Sequence, residues 1–354
     1  MSRITQTAIL VAVGLMLSAA VFSEVRAQAL VIDGEEIADA KLMAAARAEK
    51  ELNVYGTYPS DNLSDALDGF RKDTGLKIEY IRVPTSRLYD RVLAEFSAGK
   101  LEVDYADLTD HTLIKEWMSR GILAKHKTPW HERLPHALRN DDGYWVFVYR
   151  PVQTIAVNTE LVKEADYPKS WKDTFDPKWQ GKMGMPNIEG GGAALTLFSF
   201  LRMEVDPDSW KKIAALNPRT YPSSAPNVND LVRGRTSAAY GGASSFTEQI
   251  ENGAPLKVIL PTEGVAAFGG MGNVTSTAKH PNAAKVYVNY MTSKKGSTLI
   301  AKSGSYGTHP DSPAPVIAGV QLPPHDKVWN IDAEQWDKIH ETWFEEWKVI
   351  FNRK

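Results

Sequence analysis

Three short polar turns carry the residue types that could hold a ligand. They read "TYPSDN" at 57–62, "IEGGGAAL" at 188–195 and "AYGGASS" at 239–245. In each turn a predicted strand ends and a predicted helix begins. Free amides at such an end favour anions, glycines allow close approach, and serines add hydroxyl donors. We therefore expect these turns to hydrogen-bond an anionic group.

Two further turns follow predicted strands in the same way. They are "PTSR" at 84–87 and "LTDH" at 108–111. Ligands of open α/β sheets bind beyond the carboxyl ends of the strands, so all five turns would lie at ligand-binding edges. Ordinary capping of a helix explains any one of them. Five together favour a binding cleft.

Motifs for catalysis are missing from the sequence. The stretch "HERLPH" at 131–136 resembles a zinc-binding helix, but its second histidine is one place late and Pro135 would break the helix. Neither a Walker loop nor a G-x-S-x-G elbow occurs. The chain has no cysteine, which excludes disulfides, thiolate metal sites and cysteine nucleophiles. We expect a protein that is not an enzyme, with an exported hydrolase as a remote alternative.

The elements that must position these turns alternate along the chain. After a helical segment predicted at 35–50, strands are predicted in "ELNVYG" at 51–56, "LKIEYIRV" at 76–83 and "VDYADLTD" at 103–110. A stretch with helical spacing follows each of them. Repeated strand–helix units of this kind predict a parallel sheet in an α/β domain.

Two long β-rich runs break this alternation and predict a second domain. The first, at 144–158, contains Pro151, and the second lies at 263–277. We interpret them as hinge strands that join two lobes, each a mixed, mostly parallel sheet flanked by helices. The predicted boundaries are 30–152 with 270–354 for lobe 1 and 153–269 for lobe 2.

An aromatic stripe near the C-terminus predicts a packed helix. Trp336, Trp343, Trp347 and Ile350 recur at helical spacing on one face. Such a stripe is typical of core packing and not of a ligand site.

The first 29 residues predict a signal peptide and therefore export. Arg3 precedes an apolar run at 8–22, and Ala27-Gln28-Ala29 has the small-x-small pattern of a cleavage site. The run is short for a membrane-spanning helix. The absence of cysteine also excludes a lipid anchor at the cleavage site. The formal net charge of −2 gives no indication of a nucleic-acid or membrane-surface partner.

The motifs of the mature chain resemble those of periplasmic substrate-binding proteins of ABC importers. The resemblance is to the two-lobed type II group, in the branch that contains ferric-iron, phosphonate, thiamine and sugar-phosphate binders. It covers nearly the whole mature chain. The similar segments are "AEKELNVYGTYP" at 48–59, "SWKDTFDPKWQGKM" at 170–183, "LVRGRTSAAYGG" at 231–242 and the run at 280–310.

The resemblance implies a soluble periplasmic protein that delivers a small solute to an inner-membrane permease. A monomer without cofactor or bound metal is expected. Delivery to a sensor, in place of an importer, is left open by the sequence.

Ferric-iron binders of this branch use a histidine, an acid and adjacent tyrosines at three turns. Here those positions fall near Pro59, on Asp110, and on Ser244 with Ser245. Ferric ion prefers anionic oxygens, for which serine hydroxyls are poor substitutes. An anionic or zwitterionic organic solute such as a phosphonate, phosphate ester or carboxylate is therefore expected, with iron or another metal as the alternative.

Turn positions and resemblance together give a set of candidate ligand contacts. Asp110 has two open interpretations, a partner for a ligand ammonium or hydroxyl group and the N-cap of the next helix. Arg150 or Gln153 falls near the place where iron-binding relatives have an anion-contacting arginine. The full set is Tyr58, Ser60, Thr85, Ser86, Asp110, Arg150, Gln153, Gly191, Gly192, Ala193, Tyr240, Ser244 and Ser245.

Overall fold

The computed structural model describes residues 28–188, 192–317 and 319–351 of the 354-residue chain. The predicted signal peptide, 1–29, lies outside this part except for Gln28 and Ala29. None of the helices in the described ranges is long and apolar enough to cross a membrane.

The helices and strands alternate through most of the described chain. Helices α1 to α11 span, in order, Ala40–Glu49, Ser64–Thr74, Thr85–Ser97, His111–Ser119, Gly192–Phe200, Ser209–Ala215, Ser224–Val232, Ala243–Glu251, Pro281–Thr292, Lys294–Lys302 and Ala333–Ile350. Strands β1 to β18 span, in order, Leu30–Ile32, Glu35–Ala38, Glu51–Gly56, Lys77–Arg82, Tyr105–Leu108, Val146–Phe147, Tyr149–Arg150, Val152–Asn158, Met183–Pro186, Arg219–Tyr221, Ala238–Gly242, Leu256–Ile259, Val265–Ala267, Met271–Val274, Tyr306–Gly307, Val316–Ile317, Val320–Gln321 and Val328–Trp329.

The first two strands form a hairpin, and this corrects the prediction of a continuous helix over 35–50. Asp33 and Gly34 both have positive φ, at 50° and 83°, and Ile32 pairs with Glu35 across them. An Asp-Gly pair is favoured in two-residue hairpin turns because it tolerates that backbone region. Helix α1 begins only after Asp39, whose carboxylate accepts a hydrogen bond from the Leu42 amide at 2.7 Å.

A five-stranded sheet in the order β4-β3-β5-β14-β6 defines the first lobe. Strands β3, β4 and β5 run parallel, whereas β14 is antiparallel to both β5 and β6. Residues Val54, Phe70 and Tyr287 belong to the apolar core that α1, α2 and α9 cover. The strand–helix alternation predicted for this region is confirmed.

A seven-stranded sheet defines the second lobe, in the order β10-β9-β11-β8-β13-β18 with β12 also paired to β8. Strands β9, β10 and β11 are parallel, and β8 is antiparallel to its neighbours β11, β12 and β13. The two mixed sheets flanked by helices confirm the predicted α/β, two-lobed fold class.

The chain passes between the two sheets at two short hinge segments, and a later passage leads from β14 of the first sheet to β18 of the second. Strand β6 belongs to the first sheet and β8 to the second, so residues 148–151 make the first crossing. Strand β13 belongs to the second sheet and β14 to the first, so residues 268–270 make the return. Both crossings lie within the β-rich runs that the sequence indicated as hinges.

The C-terminal helix packs on the second lobe. Strand β18 pairs in parallel with β13, and Trp336 and Trp347 are buried in the same core as Ile155 and Trp210. The aromatic stripe thus packs in a core as predicted. The predicted lobe boundaries stay a prediction, and from this pairing we propose that residues 328–351 belong with the second lobe.

Candidate ligand cleft

A cleft of about 570 Å³ lies where the carboxyl ends of strands from both sheets face each other. Its first-lobe wall comes from the segments after β3, β4 and β5, and its second-lobe wall from those after β9, β10 and β11. Ligands of open α/β sheets bind at this edge. The cleft is therefore the candidate functional site.

A buried carboxylate fixes two side chains of the first-lobe wall by hydrogen bonds. Asp107 Oδ1 accepts hydrogen bonds from the Thr57 amide at 3.0 Å, the Thr57 hydroxyl at 2.5 Å and the Tyr149 hydroxyl at 2.8 Å. Burial raises the pKa of Asp107 to about 6, although these hydrogen bonds oppose the rise. Thr57 and Tyr149 line the cleft and Asp107 lies behind them.

Tyr58 forms an aromatic wall next to that network. Its ring stacks on Tyr149 with centroids 4.5 Å apart, and its hydroxyl hydrogen-bonds with the Ser305 hydroxyl. The same hydroxyl lies 3.5 Å from Ser244 Oγ on the second lobe. Tyr80 fixes the main chain here by donating its hydroxyl proton to the Tyr58 carbonyl at 2.8 Å. The first-lobe wall is thus largely satisfied by internal contacts.

The second-lobe wall is built from helix N-termini. Helices α5, α7 and α8 begin at Gly192, Ser224 and Ala243, and the first turns of all three line the cleft. On the first lobe, α3 begins at Thr85 and also lines it. Four sets of partly positive helix ends therefore surround the cleft, which favours negative charge.

The first turns of these helices retain free donors. In the described residues, α3, α7 and α8 have no side chain that caps their N-terminal amides. The neighbouring helix α4 is capped, since Asp110 Oδ1 accepts from the Thr112 amide at 2.8 Å and the Leu113 amide at 3.2 Å. A ligand anion is the natural partner for the uncapped amides.

A glycine brings the two walls into contact. A Cβ placed on Gly192 would lie 2.0 Å from the Thr109 carbonyl oxygen of the first lobe. Only a residue without a side chain fits at this distance. By contrast, a Cβ on Gly242 would have Ser245 Oγ at 3.7 Å as its nearest neighbour, an ordinary contact.

One cationic and one acidic side chain line the cleft among the described residues. Arg82 lies at the end of β4, and Glu248 lies one turn into α8. Both side chains are exposed, and neither forms an ion pair with another described residue. The formal charges of these two side chains therefore sum to zero.

The structure brings together seven of the predicted contacts at the cleft and separates others from it. Those that line the cleft are Tyr58, Thr85, Gln153, Gly192, Ala193, Ser244 and Ser245. Gly191 lies outside the described residues. Those that do not line the cleft are Ser60, Ser86, Asp110, Arg150 and Tyr240. Whether the seven bind a ligand stays a prediction.

Each exception at a strand or cap has a local reason. Tyr240 is 1% exposed, and its hydroxyl hydrogen-bonds to the Thr174 hydroxyl at 2.6 Å inside the second-lobe core. The Asp110 side chain is used as a helix cap, one of its two interpretations from the sequence. Arg150 and Gln153 are three residues apart along extended chain, so their side chains point to opposite sides. Gln153 faces the cleft and Arg150 does not.

Sequence reasoning missed several polar residues that line the cleft. The segment "YPSSAPN" at 221–227 carries Pro222, Ser223 and Ser224 directly after β10 and at the start of α7. A Pro-Ser-Ser turn before an apolar helical pattern is itself a signal of a helix N-terminus. Thr57, Asn62 and Thr109 lie in turns that the sequence indicated but were not in the set of contacts. The other polar lining residues outside that set are Arg82, Tyr149, Asn187, Ser223, Ser224, Asn229, Glu248 and Gln249.

Two sheets joined by two short hinge segments and by the later passage to β18, with a cleft at their facing edges, define a two-lobed binding protein. A model of the family described as bacterial extracellular solute-binding protein matches residues 102–337. Since this match covers more than half of the chain, the protein belongs to that family.

Relatives and solved structures are consistent with this assignment. The Fe(3+)-binding periplasmic protein of Serratia marcescens is 21% identical over 278 residues, which cover 74% of this chain and 79% of the relative. The putrescine-binding periplasmic protein SpuD of Pseudomonas aeruginosa is 27% identical over 282 residues, covering 70% and 75%. The periplasmic binding protein AfuA of Actinobacillus pleuropneumoniae, solved with fructose-6-phosphate, superposes with a TM-score of 0.63 at 19% identity over 84% of this chain and 99% of that one.

The resemblance stated from the sequence is thereby confirmed. The chain is a solute-binding protein of the kind that serves ABC importers, which work with an inner-membrane permease and an ATPase. Its named relatives are periplasmic, and members of its family are solute-binding proteins and not enzymes.

Proposed function

We propose that the cleft captures a small anionic or zwitterionic organic solute, such as a phosphonate, a phosphate ester or a carboxylate. The observation that carries this proposal is the convergence of four helix N-termini, at Thr85, Gly192, Ser224 and Ala243, on one cleft. Each contributes main-chain donors and a partial positive charge to the same space. The hydroxyls of Ser244 and Ser245, in the first turn of α8, add further donors.

The charged side chains favour a solute that carries both signs. Arg82 suits an oxyanion, because a guanidinium donates two parallel hydrogen bonds. Glu248 suits an ammonium or hydroxyl group of the same molecule. From the sequence this second role was one of the two interpretations of Asp110, and we propose Glu248 for it in place of Asp110.

A ferric ion fits the described cleft less well. Tyr149 lines it, but its hydroxyl donates to Asp107, and burial raises the pKa of Tyr149 well above its usual value. A phenolate ligand is therefore disfavoured at this residue. Within the described ranges, no group of three or more His, Cys, Asp or Glu side chains is placed to hold a metal ion.

A polyamine also fits poorly. Such a dication needs carboxylates close to each ammonium group, and Glu248 is the single acidic side chain among the described lining residues. The four helix N-termini would oppose a cation in the same cleft. Iron and putrescine are therefore outcomes that the test must be able to detect.

Closure of the two lobes would provide the signal for delivery. Thr109 and Gly192 already touch across the cleft, so a solute held by both walls stabilises the closed state over the open one. We propose that the mature chain, from residue 30, acts as a periplasmic monomer without a lipid anchor and presents this closed state to a permease.

A thermal-shift screen of residues 30–354 tests the proposal. It compares phosphonates, sugar phosphates, carboxylates, amino acids, putrescine and ferric citrate. A ligand at a hundredfold excess over its Kd stabilises the fold by about 2.7 kcal/mol, which is visible as a shift of the melting temperature. We expect the shift with an anion or zwitterion, and its loss in the double variant Ser244→Ala/Ser245→Ala.

A shift with ferric citrate alone, or with putrescine alone, would contradict the proposed ligand class. Ser60→Ala is the matched control, because Ser60 neighbours Tyr58 in sequence but does not line the cleft. It should melt and bind as the parent chain does.

A further inference from the structure

A second cavity, of about 920 Å³, lies apart from the cleft. Within the described ranges the two share no lining residue. Arg150 and Thr308 line this cavity together with Val265 and Trp329, two residues of the second-lobe sheet. It therefore adjoins the first hinge crossing on a face that the cleft does not use.

Successive side chains of the first hinge crossing line the cleft and the second cavity in alternation. Tyr149, Pro151 and Gln153 line the cleft, whereas Arg150 lines the second cavity. Successive side chains of an extended segment point to opposite sides. A ligand in the second cavity would therefore not displace one in the cleft.

Arg150 is a buried cation without a counter-ion. It is 1% exposed, and its guanidinium donates to the Gly307 carbonyl at 3.3 Å and to His325 Nδ1 at 2.7 Å. Its guanidinium carbon also lies 5.4 Å from the centroid of the Tyr306 ring. None of these three groups carries a negative charge. In the described part of the chain, Arg150 Nε also has no hydrogen-bond partner. Burying a charge in this way is costly unless an opposite charge is supplied.

His325 does not supply a charge of either sign. Its Nε2 donates to the Ser312 carbonyl at 3.0 Å, which leaves Nδ1 to accept from Arg150. Burial and the neighbouring Arg150 lower the pKa of His325 to about 4, so it is neutral at physiological pH.

The carboxylates of the cavity have other partners. Glu204 accepts from Trp329 Nε1 at 3.1 Å, and Glu263 accepts from the Trp171 amide at 3.0 Å. Asp326 lies 3.9 Å from Lys327. None of these acids pairs with Arg150 among the described residues. Three acidic side chains in the wall oppose a large or highly charged anion, so a small anion is expected.

We propose that this second cavity, which we call the hinge cavity, binds a small oxyanion or carboxylate as the counter-ion of Arg150. Both classes offer paired oxygens, the geometry that a guanidinium binds best. The site is independent of the solute in the cleft, because the two spaces use opposite faces of the hinge segment.

The test uses residues 30–354 carrying Arg82→Gln, a substitution that weakens anion binding in the cleft. Sodium sulfate, phosphate, acetate and malonate are titrated against sodium chloride at equal ionic strength, and binding is measured by calorimetry and by thermal shift. We expect saturable binding of at least one of these anions. Adding Arg150→Gln should raise the half-saturating concentration at least about tenfold. Sulfate or phosphate as the better ligand would indicate an inorganic oxyanion, and acetate or malonate a carboxylate.

A second pair of variants keeps the test independent of the folding of Arg150→Gln. Ala137 is half-buried in the wall of the hinge cavity. In the Arg82→Gln background, Ala137→Glu would place a competing carboxylate there, whereas Ala137→Gln adds the same volume without charge. We expect loss of anion binding with Glu and its retention with Gln.

Equal anion binding by the parent, Arg150→Gln and Ala137→Glu chains would overturn the proposal, since non-specific stabilisation by salt is the same in all of them. No saturable binding in the parent would also overturn it. Equal saturable binding in all three chains would mean that the anion binds outside the hinge cavity. The serine variants, in the chain with Arg82 intact, test the cleft separately.

Discussion

The two walls of the cleft are built on different principles. The first-lobe wall is a network of side chains that satisfy one another, with Thr57 and Tyr149 both bonded to Asp107 and Tyr58 stacked on Tyr149. The second-lobe wall presents the first turns of three helices, two of them known to lack a side-chain cap. Apart from the α3 N-terminus and Arg82, the first wall therefore gives the cleft its shape, and the second supplies three of the four helix N-termini.

Because the two walls differ in this way, substitutions in them should affect different properties of the protein. Donors that have no partner in the unliganded chain gain a full hydrogen bond when an anion arrives, whereas satisfied groups gain little. We therefore expect substitutions on the second lobe to change the affinity most. Substitutions in the first-lobe network should change stability more than affinity.

The largest expected effect comes from Gly192→Ala, which acts on the contact between the walls. Its Cβ would lie 2.0 Å from the Thr109 carbonyl oxygen, so the closed arrangement would be blocked or strained. We predict an affinity loss of about a hundredfold, equivalent to ~2.7 kcal/mol. Calorimetry gives the affinity, and small-angle scattering reports whether the solute still compacts the protein.

Gly242→Ala is the matched control for that substitution, because its Cβ would meet only ordinary contacts at 3.7 Å and 3.8 Å. It should bind within about threefold of the parent chain. Similar losses in both variants would show that the contact between Gly192 and Thr109 has no special role in closure.

The next effect in size is the loss of the α8 serines. Ser244→Ala and Ser245→Ala each remove a hydroxyl from the first turn of the helix, and a hydrogen bond to a charged group contributes about 1.5 kcal/mol or more. We predict about a tenfold weaker affinity for each. Ser86→Ala, in the first turn of α3 but outside the cleft lining, should leave the affinity unchanged. Equal losses for all three would remove the distinction between the two walls.

A smaller effect is expected at the exposed charges. Arg82→Gln should weaken binding of an anion about threefold to tenfold and reduce its dependence on salt, because exposed charges are screened. Glu248→Gln should strengthen the binding of a pure anion, because a negative charge is removed, and should weaken the binding of a zwitterion. Arg87→Gln is the control, as Arg87 lies on α3 outside the cleft lining. Titrations at low and high salt distinguish these outcomes.

The smallest effect on affinity is expected at Asp107. The property measured for this residue is the stability of the fold. The pKa of its carboxyl is raised to about 6 in the fold, from about 3.9 when exposed to water. The folded state thus holds this proton more tightly, so its contribution to stability is present near pH 4 and is lost as the pH rises through about 6. Asp107→Asn should remove this fall while changing the affinity less than about threefold.

Denaturant unfolding of both chains from pH 4 to pH 7 measures the difference. Parallel pH profiles for the parent and Asp107→Asn chains would show that this carboxyl does not titrate in that range. A large loss of affinity would show that the first-lobe network does more than set the shape of the cleft.

Much of the fold could be predicted from the sequence, because the strand–helix alternation and the two β-rich hinge runs carry strong local signals. The return of the chain to the second lobe could not, since the two-residue strand Val328–Trp329 gives no pattern of its own. Its pairing with Val265–Ala267 depends on contacts distant in sequence.

The candidate site could be predicted in part, for a related reason. Glycines and serines at strand ends identified Gly192, Ser244 and Ser245, because the backbone there dictates the residue type. Side-chain direction was not equally accessible. Tyr240 points into the core, and Arg150 points away from the cleft because it has the opposite parity from Gln153 along the strand. The odd spacing of Arg150 and Gln153 shows, from the sequence alone, that both could not line the cleft, but it does not show which of them does.

We propose above all that the helix N-termini of the second lobe hold the anionic group of the solute. The most direct test is to follow the backbone amide resonances of residues 30–354 by NMR while adding the best ligand from the thermal-shift screen. We predict downfield shifts of the Ser244, Ser245 and Ser224 amide protons, as expected for donors that gain an anionic acceptor. Saturable binding that leaves these three resonances in place would contradict the account.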